Sequence, residues 1–246
     1  MNKLAVLALS LLIFFSTMLW YLANGSLNEY LKSQTELQGH YYSGQKTSLA
    51  LADFSSKTGT ATFSQLSLAN QAQYQSKNVL IIDEIKAVLS NQQSKQPSTV
   101  SAKVTINKLI LNIEQLKAVE SNIEQIKQRI SLQLANDYPQ LYPHISAAIY
   151  AKNNPELNAD QYSKNNPQSG PIIEHTQKAK KRGKAQQKII ISAIDINTLE
   201  INTLKNGSKN TIQKHNVSIE RIGEQEGLLV NQIGGEFLLH LLQLVH

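Results

Sequence analysis

Apolar positions along this chain fall into one unbroken run followed by two kinds of spacing. Residues 4–23 read LAVLALSLLIFFSTMLWYLA, with no charge, Pro or Gly. As a helix rising 1.5 Å per residue, such a run covers roughly the 30 Å hydrocarbon core of a bilayer. Lipid offers the backbone no hydrogen-bond partners, so a spanning segment must be helical. Trp20 and Tyr21 stand at its far end, where amphipathic rings prefer the headgroup region. A cleaved signal peptide has a shorter apolar stretch and small residues before the cut. Cutting after Ala23 would put Tyr21 at −3, so a retained anchor is expected. Lys3 precedes the run while Glu29, Lys32, Glu36 and Lys46 roughly cancel after it, which predicts an N-terminus kept inside and an exported remainder.

Beyond the anchor the spacing predicts a helical linker over 24–46, with Leu27, Leu31 and Leu37 lining one side. Period-two patterns then predict strands over 47–54, 60–70, 79–89, 100–113 and 189–204, and a short one over 217–222. In VLIIDEIKAVL (79–89) the odd positions predict one strongly apolar face, broken by Asp83. Spacing of three and four over 114–134 (Leu116, Val119, Ile123, Ile126, Ile130, Leu134) predicts a helix packed on the sheet. A closing amphipathic helix is predicted over 228–245, with Ile233, Phe237, Leu238, Leu241, Leu242 and Val245 on its apolar side. Residues 150–188, with Asn-Asn-Pro at 153–155 and 165–167, read as a polar insert.

Three strands share one offset. Phe63, Leu66 and Leu68; Ile106, Leu109 and Leu111; and Ile196, Leu199 and Ile201 each place three apolar residues at i, i+3 and i+5, and Val104 and Ile194 extend the last two upstream. Strict alternation would send Ile106 and Leu109 to opposite faces. One extra residue, a β-bulge, keeps both on one face and bends the strand. Repeated across strands, the device predicts a sheet curved into an apolar trough lined by these residues.

At these residues the sequence resembles the AsmA-like family of envelope proteins, which includes the far longer TamB-type proteins. GTATFSQLSLANQAQY (59–74), NVLIIDEIKAVLS (78–90), VTINKLILNIEQ (104–115), SNIEQIKQRI (121–130), IIISAIDINTLEINTL (189–204) and SIERIGEQEGLL (218–229) carry the likeness in that order. The likeness implies a groove-bearing domain engaged in lipid handling or envelope upkeep, without catalysis or cofactor. The chain is far shorter than members held to bridge the periplasm, and its 150–188 insert is polar and basic.

Composition narrows the chemistry. There is no Cys, hence no lipoprotein anchor, disulfide or thiol nucleophile. The net charge of +6 owes much to Lys178, Lys180, Lys181, Arg182, Lys184 and Lys188. These six are the candidates for contact with anionic headgroups. Nucleic acid is not an expected partner, because the predicted compartment holds little of it. His40, His144, His175, His215, His240 and His246 include no pair at metal-site spacing, and no phosphate, nucleophile-elbow or dinucleotide signature is present. Asp83 and Glu84 are adjacent on a strand and point to opposite faces, so they form no local dyad.

The expected fold is α+β: an N-terminal transmembrane helix, then a curved, mostly antiparallel sheet with a trough and packing helices. Residues 1–3 form a cytoplasmic stub, 4–23 the anchor, 24–46 the linker and 47–246 a periplasmic AsmA-like domain. The expected role is non-enzymatic, at a bacterial inner membrane, with no cofactor and no metal. The partners are the bilayer, phospholipid acyl chains and envelope proteins. The alternative is a scaffold or assembly subunit carrying no lipid, with the helices filling the sheet's apolar face.

Overall fold

A computed structural model describes residues 27–90, 99–116, 120–153, 188–205, 207–223 and 227–245. In chain order it contains α1 (27–43), β1 (Thr47–Ser48), β2 (Leu51–Ser55), β3 (Thr60–Ala69), β4 (Asn78–Ser90) and β5 (Thr99–Gln115). Then follow α2 (Asn122–Asp137), α3 (Pro143–Asn153), β6 (Lys188–Lys205), β7 (Ser208–Ile219), β8 (Leu228–Leu229) and α4 (Ile233–Leu242), which ends in a 3-10 turn.

One sheet in the order β1-β3-β4-β5-β6-β7 organises these elements, with β2 also on β3 and β8 also on β6. The sheet is mixed, which corrects the expectation of a mostly antiparallel one. Its longest ladder, β5 against β6, is parallel from Thr99↔Lys188 to Gln115↔Lys205. The cause lies in the connection: parallel neighbours need a crossover, and α2 and α3 lie between β5 and β6 in the chain. The expected membrane-spanning helix is also absent from the described residues, where no helix is long and apolar enough to cross a membrane. Residues 4–23 lie outside them, as do Lys178, Lys180, Lys181, Arg182 and Lys184.

Ile106 and Leu109 are both fully buried, on one face, as the offset requires. The device is different from the one expected. A bulge in a single strand would shift its register, yet β4 and β5 pair as Ile85↔Ile106 and again, unshifted, as Ile82↔Leu109. The skip occurs in neighbouring strands together. Gln65, Asp83, Asn107, Asn197 and Asn216 are the exposed polar residues at it in β3 to β7, and the ladders resume in step on both sides. The sheet therefore carries a crease running across five strands. The crease also corrects the face assigned to β4: Leu80, Ile82 and Ile85 point into the core, while Ile81 is only partly buried.

At two ends of the crease the backbone turns left-handed, with φ 54° at Gln65 and 53° at Asn216. Asn tolerates that region, whereas a residue like Gln meets Cβ crowding of about 1–2 kcal/mol. Gln65→Gly is therefore expected to raise unfolding free energy by up to about 1 kcal/mol, partly offset by the greater freedom of Gly in the unfolded chain. Chemical denaturation checks it.

Helices cover one face of the sheet. α2 begins at an N-cap: the Ser121 hydroxyl accepts from the Glu124 amide at 3.3 Å and satisfies one of the first-turn amides. That cap explains why the helix starts later than expected, the chain before it being taken up by β5 through Gln115. Ile123, Ile126, Ile130 and Leu134 are all buried against the sheet, each contributing about 1.5–3 kcal/mol. Pro139 follows the end of α2, and Pro143 opens α3, where its missing N–H costs nothing.

α1 seals the edge at β1 and β2. Asn28 Oδ1 accepts from the Phe54 amide at 3.0 Å, Glu36 Oε1 accepts from the Leu49 amide at 2.8 Å, and the Lys32 ammonium donates to the Ala50 carbonyl at 3.3 Å. These bonds occupy groups that an open strand edge would offer to another chain. Leu31 of this helix packs on the core, while Leu27 and Leu37 face outward, so the three leucines do not share one side. The uncovered sheet face is polar, with Lys103 paired to Asp195 at 2.8 Å and Lys108 to Glu200 at 2.9 Å across β5 and β6. These pairs hold both carboxyls below the usual carboxylate range, through the lysine hydrogen bonds first.

β7 is longer than the sequence pattern suggests, because SKNTIQKHN (208–216) has no apolar alternation to announce it. It is an edge strand with solvent on most of its length, so nothing requires alternation there.

Candidate functional site

An apolar cavity lies in the core of the described residues. Its floor is sheet: Phe63, Leu66 and Leu68 of β3, Leu80, Ile85 and Ala87 of β4, Val104 of β5 and Ile191 of β6. Its roof is α1, through Thr35, Gln38 and Gly39, and α4, through Ile233, Gly234, Phe237 and Leu238, with Thr47 at the side. α1 comes close to β1 and to α4 because glycines stand at the contacts. A Cβ at Gly39 would fall 2.5 Å from the Thr47 hydroxyl, and one at Gly234 would fall 2.7 Å from the Gln38 side chain. The cavity measures about 200 Å³. Dry apolar cavities of roughly 150 Å³ admit benzene. Only Thr35, Gln38 and Thr47 bring polar side chains to the lining, so the site selects by burial and shape rather than by charge.

Of the residues expected to line a trough, Phe63, Leu66, Leu68 and Val104 do line this cavity. Ile106, Leu109, Leu111, Ile194, Ile196, Leu199 and Ile201 do not; they are packed into the closed core, none more than 6% exposed. The apolar face is thus filled along most of its length and open at one end. The trough expected over all three strands shrinks to that end, since α2 and α4 take the place a ligand would need. Gly39, Gly234 and Ile191 were not expected at a site. Their signal is weak, for a glycine inside a helix reads as a breaker and not as a contact.

No family model, curated protein or solved structure matches this chain. Its site is therefore read from its own geometry.

On the other side of α4 lies a larger recess of mixed lining, about 1240 Å³, where Tyr142, Lys188, Arg221, Gln232, Glu236 and His240 stand beside Ile222 and Leu228. Lys188 is the one headgroup-contact candidate among the described residues. The Tyr142 hydroxyl donates to Glu236 Oε1, and His240 Nδ1 sits 2.8 Å from the Glu236 carbonyl. Burial pushes the Glu236 carboxyl up, with His240 pulling weakly the other way. A carboxyl raised in the folded state binds its proton more tightly there than in the unfolded chain. Its contribution is present below the ordinary glutamate range and lost as pH rises through the folded value. Glu236→Gln is accordingly expected to flatten the fall in thermal midpoint across that window, which melts at a series of pH values would record.

A third cluster ties α1 to α2. The Tyr41 hydroxyl donates to Asp137 Oδ1 at 2.9 Å, and Gln133 Nε2 donates to Tyr41 at 2.7 Å and to Asp137 at 3.2 Å. Partial burial, then Asp137, pushes Tyr41 up to about 12, so it keeps its proton and acts as a latch rather than a base. Asp83 and Glu84 are exposed on the crease, with Asn107 Nδ2 3.5 Å from Asp83. Among the described residues no three His, Cys, Asp or Glu side chains converge on a metal-sized site.

Proposed function

We propose that this chain is a non-enzymatic envelope protein of the AsmA-like kind, tethered to a bacterial inner membrane through residues 4–23, that shelters the end of an acyl chain in its apolar cavity. The observation that carries the reading is the unfilled space between Phe63, Leu66, Leu68, Val104 and Phe237 in an otherwise close-packed core. Each methylene moved there from water gains about 0.8 kcal/mol. A cavity of this size accepts only a handful of carbons, and association costs several kcal/mol. Binding is therefore weak and reversible, which suits transient handling of a tail and not its storage. Thr35 to Gly39 of α1 lie about 12–18 Å along the helix axis from Leu27, the first described residue.

Extraction and mass spectrometry of lipid co-purifying with residues 24–246 test this. Acyl-bearing lipid is expected to co-purify below one per chain, and an added fatty acid is expected to bind saturably near one per chain. A chain free of lipid that also fails to take up an added fatty acid contradicts the reading.

A second reading has one observation in its favour. Most of the predicted trough is filled by protein, as a scaffold subunit carrying no lipid requires. A stoichiometric protein partner, retained unchanged by Ala87→Leu in the cavity, favours it.

A further inference from the structure

One helix face is out of keeping with the rest of the surface. On α1, Leu27, Tyr30, Leu37 and Tyr41 are 37%, 59%, 61% and 50% exposed. With Gln34 they stand at 27, 30, 34, 37 and 41, alternating steps of three and four. That is the a/d spacing of a two-stranded coil, sustained over about 21 Å of helix. α1 turns Leu31, Gly39 and Tyr42 to its own domain, and of the stripe Tyr41 also reaches it, through its hydroxyl on Asp137, while half of its surface stays exposed.

We propose that this stripe is the seam of a parallel homodimer, in which α1 pairs with α1 of a second copy about a twofold axis.

Three observations select a second copy. The five seam positions carry no charge, and the flanking Leu31, Ser33, Gln38 and His40 add no carboxylate, lysine or arginine, so neither like-charge repulsion nor a complementary charged partner is built in. Gln34 stands at the central a position, where a polar side chain fixes register. Its amide both donates and accepts, so it is complementary to its own twin. Finally, the chain ahead of α1 holds the uncharged run 4–23, which would set every copy in one membrane in the same direction and make the pairing parallel. This last argument and the strength of the pairing rest on the tether of the proposed function. Two heptads are marginal in water, so the dimer depends on the concentration that a shared membrane imposes.

The absence of native Cys permits a direct test with the full chain in phospholipid vesicles. Under mild oxidation, Gln34→Cys and Leu37→Cys are expected to form disulfide dimers about tenfold faster than Glu29→Cys, because only seam positions meet their twins within disulfide reach. An unchanged thermal midpoint for each variant verifies folding. Equal rates at positions 29, 34 and 37 overturn the proposal, as do cross-links confined to mixtures of Leu27→Cys with Tyr41→Cys chains, the antiparallel pattern. Unreactive thiols at 34 and 37 that also resist a small maleimide overturn it too, since the stripe is then covered by other residues of its own chain. Flotation of the vesicles reports the tether separately: a chain that cross-links at 34 and 37 but fails to float retains the seam and loses the anchor.

Discussion

Asn122→Ala is expected to lower the unfolding free energy by about 3–5 kcal/mol, because it leaves several buried polar groups without partners at about 1–3 kcal/mol each. Asn122 is fully buried at the first turn of α2. Its Oδ1 accepts from the amides of Glu114 and Ile123, each at 2.9 Å. Its Nδ2 donates to the Asn112 carbonyl at 2.8 Å and to Asn70 Oδ1 at 3.2 Å. One side chain therefore joins the end of β5, the start of α2 and the loop after β3. Glu114 beside it accepts from the Gln75 and Ser76 amides, at 2.7 and 2.5 Å, and loses its own anchor when Asn122 goes. Asn202 extends the same network, donating to Asn112 Oδ1 at 3.1 Å, but it is half-buried and has water to turn to. Asn202→Ala is expected to cost about 1 kcal/mol, in the range of a single net hydrogen bond. Urea unfolding of the two variants side by side measures the difference.

The second large effect separates the filled part of the apolar face from the open part. Leu109→Ala is expected to destabilise by about 2–5 kcal/mol, since a fully buried side chain leaves a new void among neighbours that cannot collapse. Phe63→Ala is expected to cost less than half of that. Phe63 is only partly buried and already faces unfilled space, so truncation enlarges an existing cavity instead of opening one. It should also lengthen the chain that the cavity accepts. Denaturant midpoints give the first comparison, and binding of fatty acids of increasing length gives the second. Leu109→Asp, by contrast, probes no ligand, because a carboxylate at that buried position unfolds the sheet.

Local structure was readable wherever spacing and a physical stop coincided. Ile123 to Leu134 announce α2, though the spacing from Leu116 placed its start too early, and the i, i+3, i+5 offset puts Ile106 and Leu109 on one face. Two features were hidden for reasons of physics. The offset recurs in β4 as Ile82, Ile85 and Ala87, where the apolar neighbours Ile81 and Val88 mask it, and in β7 it loses its apolar signature because Lys214 stands in the row of Leu199. A crease shared by neighbouring strands therefore looks, one strand at a time, like separate bulges. The parallel pairing of β5 and β6 is a property of the crossover and leaves no mark in either strand. Of the site, Phe63, Leu66, Leu68 and Val104 were legible as an apolar face. Which part of that face stays empty depends on how closely α1 approaches β1 and α4, and that is set by Gly39 and Gly234.

The most direct measurement is a titration of residues 24–246 with an environment-sensitive fluorescent fatty acid, for the native chain and for Ala87→Leu, which pushes a larger side chain into the space beside Phe63 and Phe237. The account predicts saturable binding near one per chain in the native protein, at least about tenfold weaker in Ala87→Leu, a loss of about 1.4 kcal/mol, with the thermal midpoint held or raised. Equal binding by both proteins, or none by the native one, contradicts it.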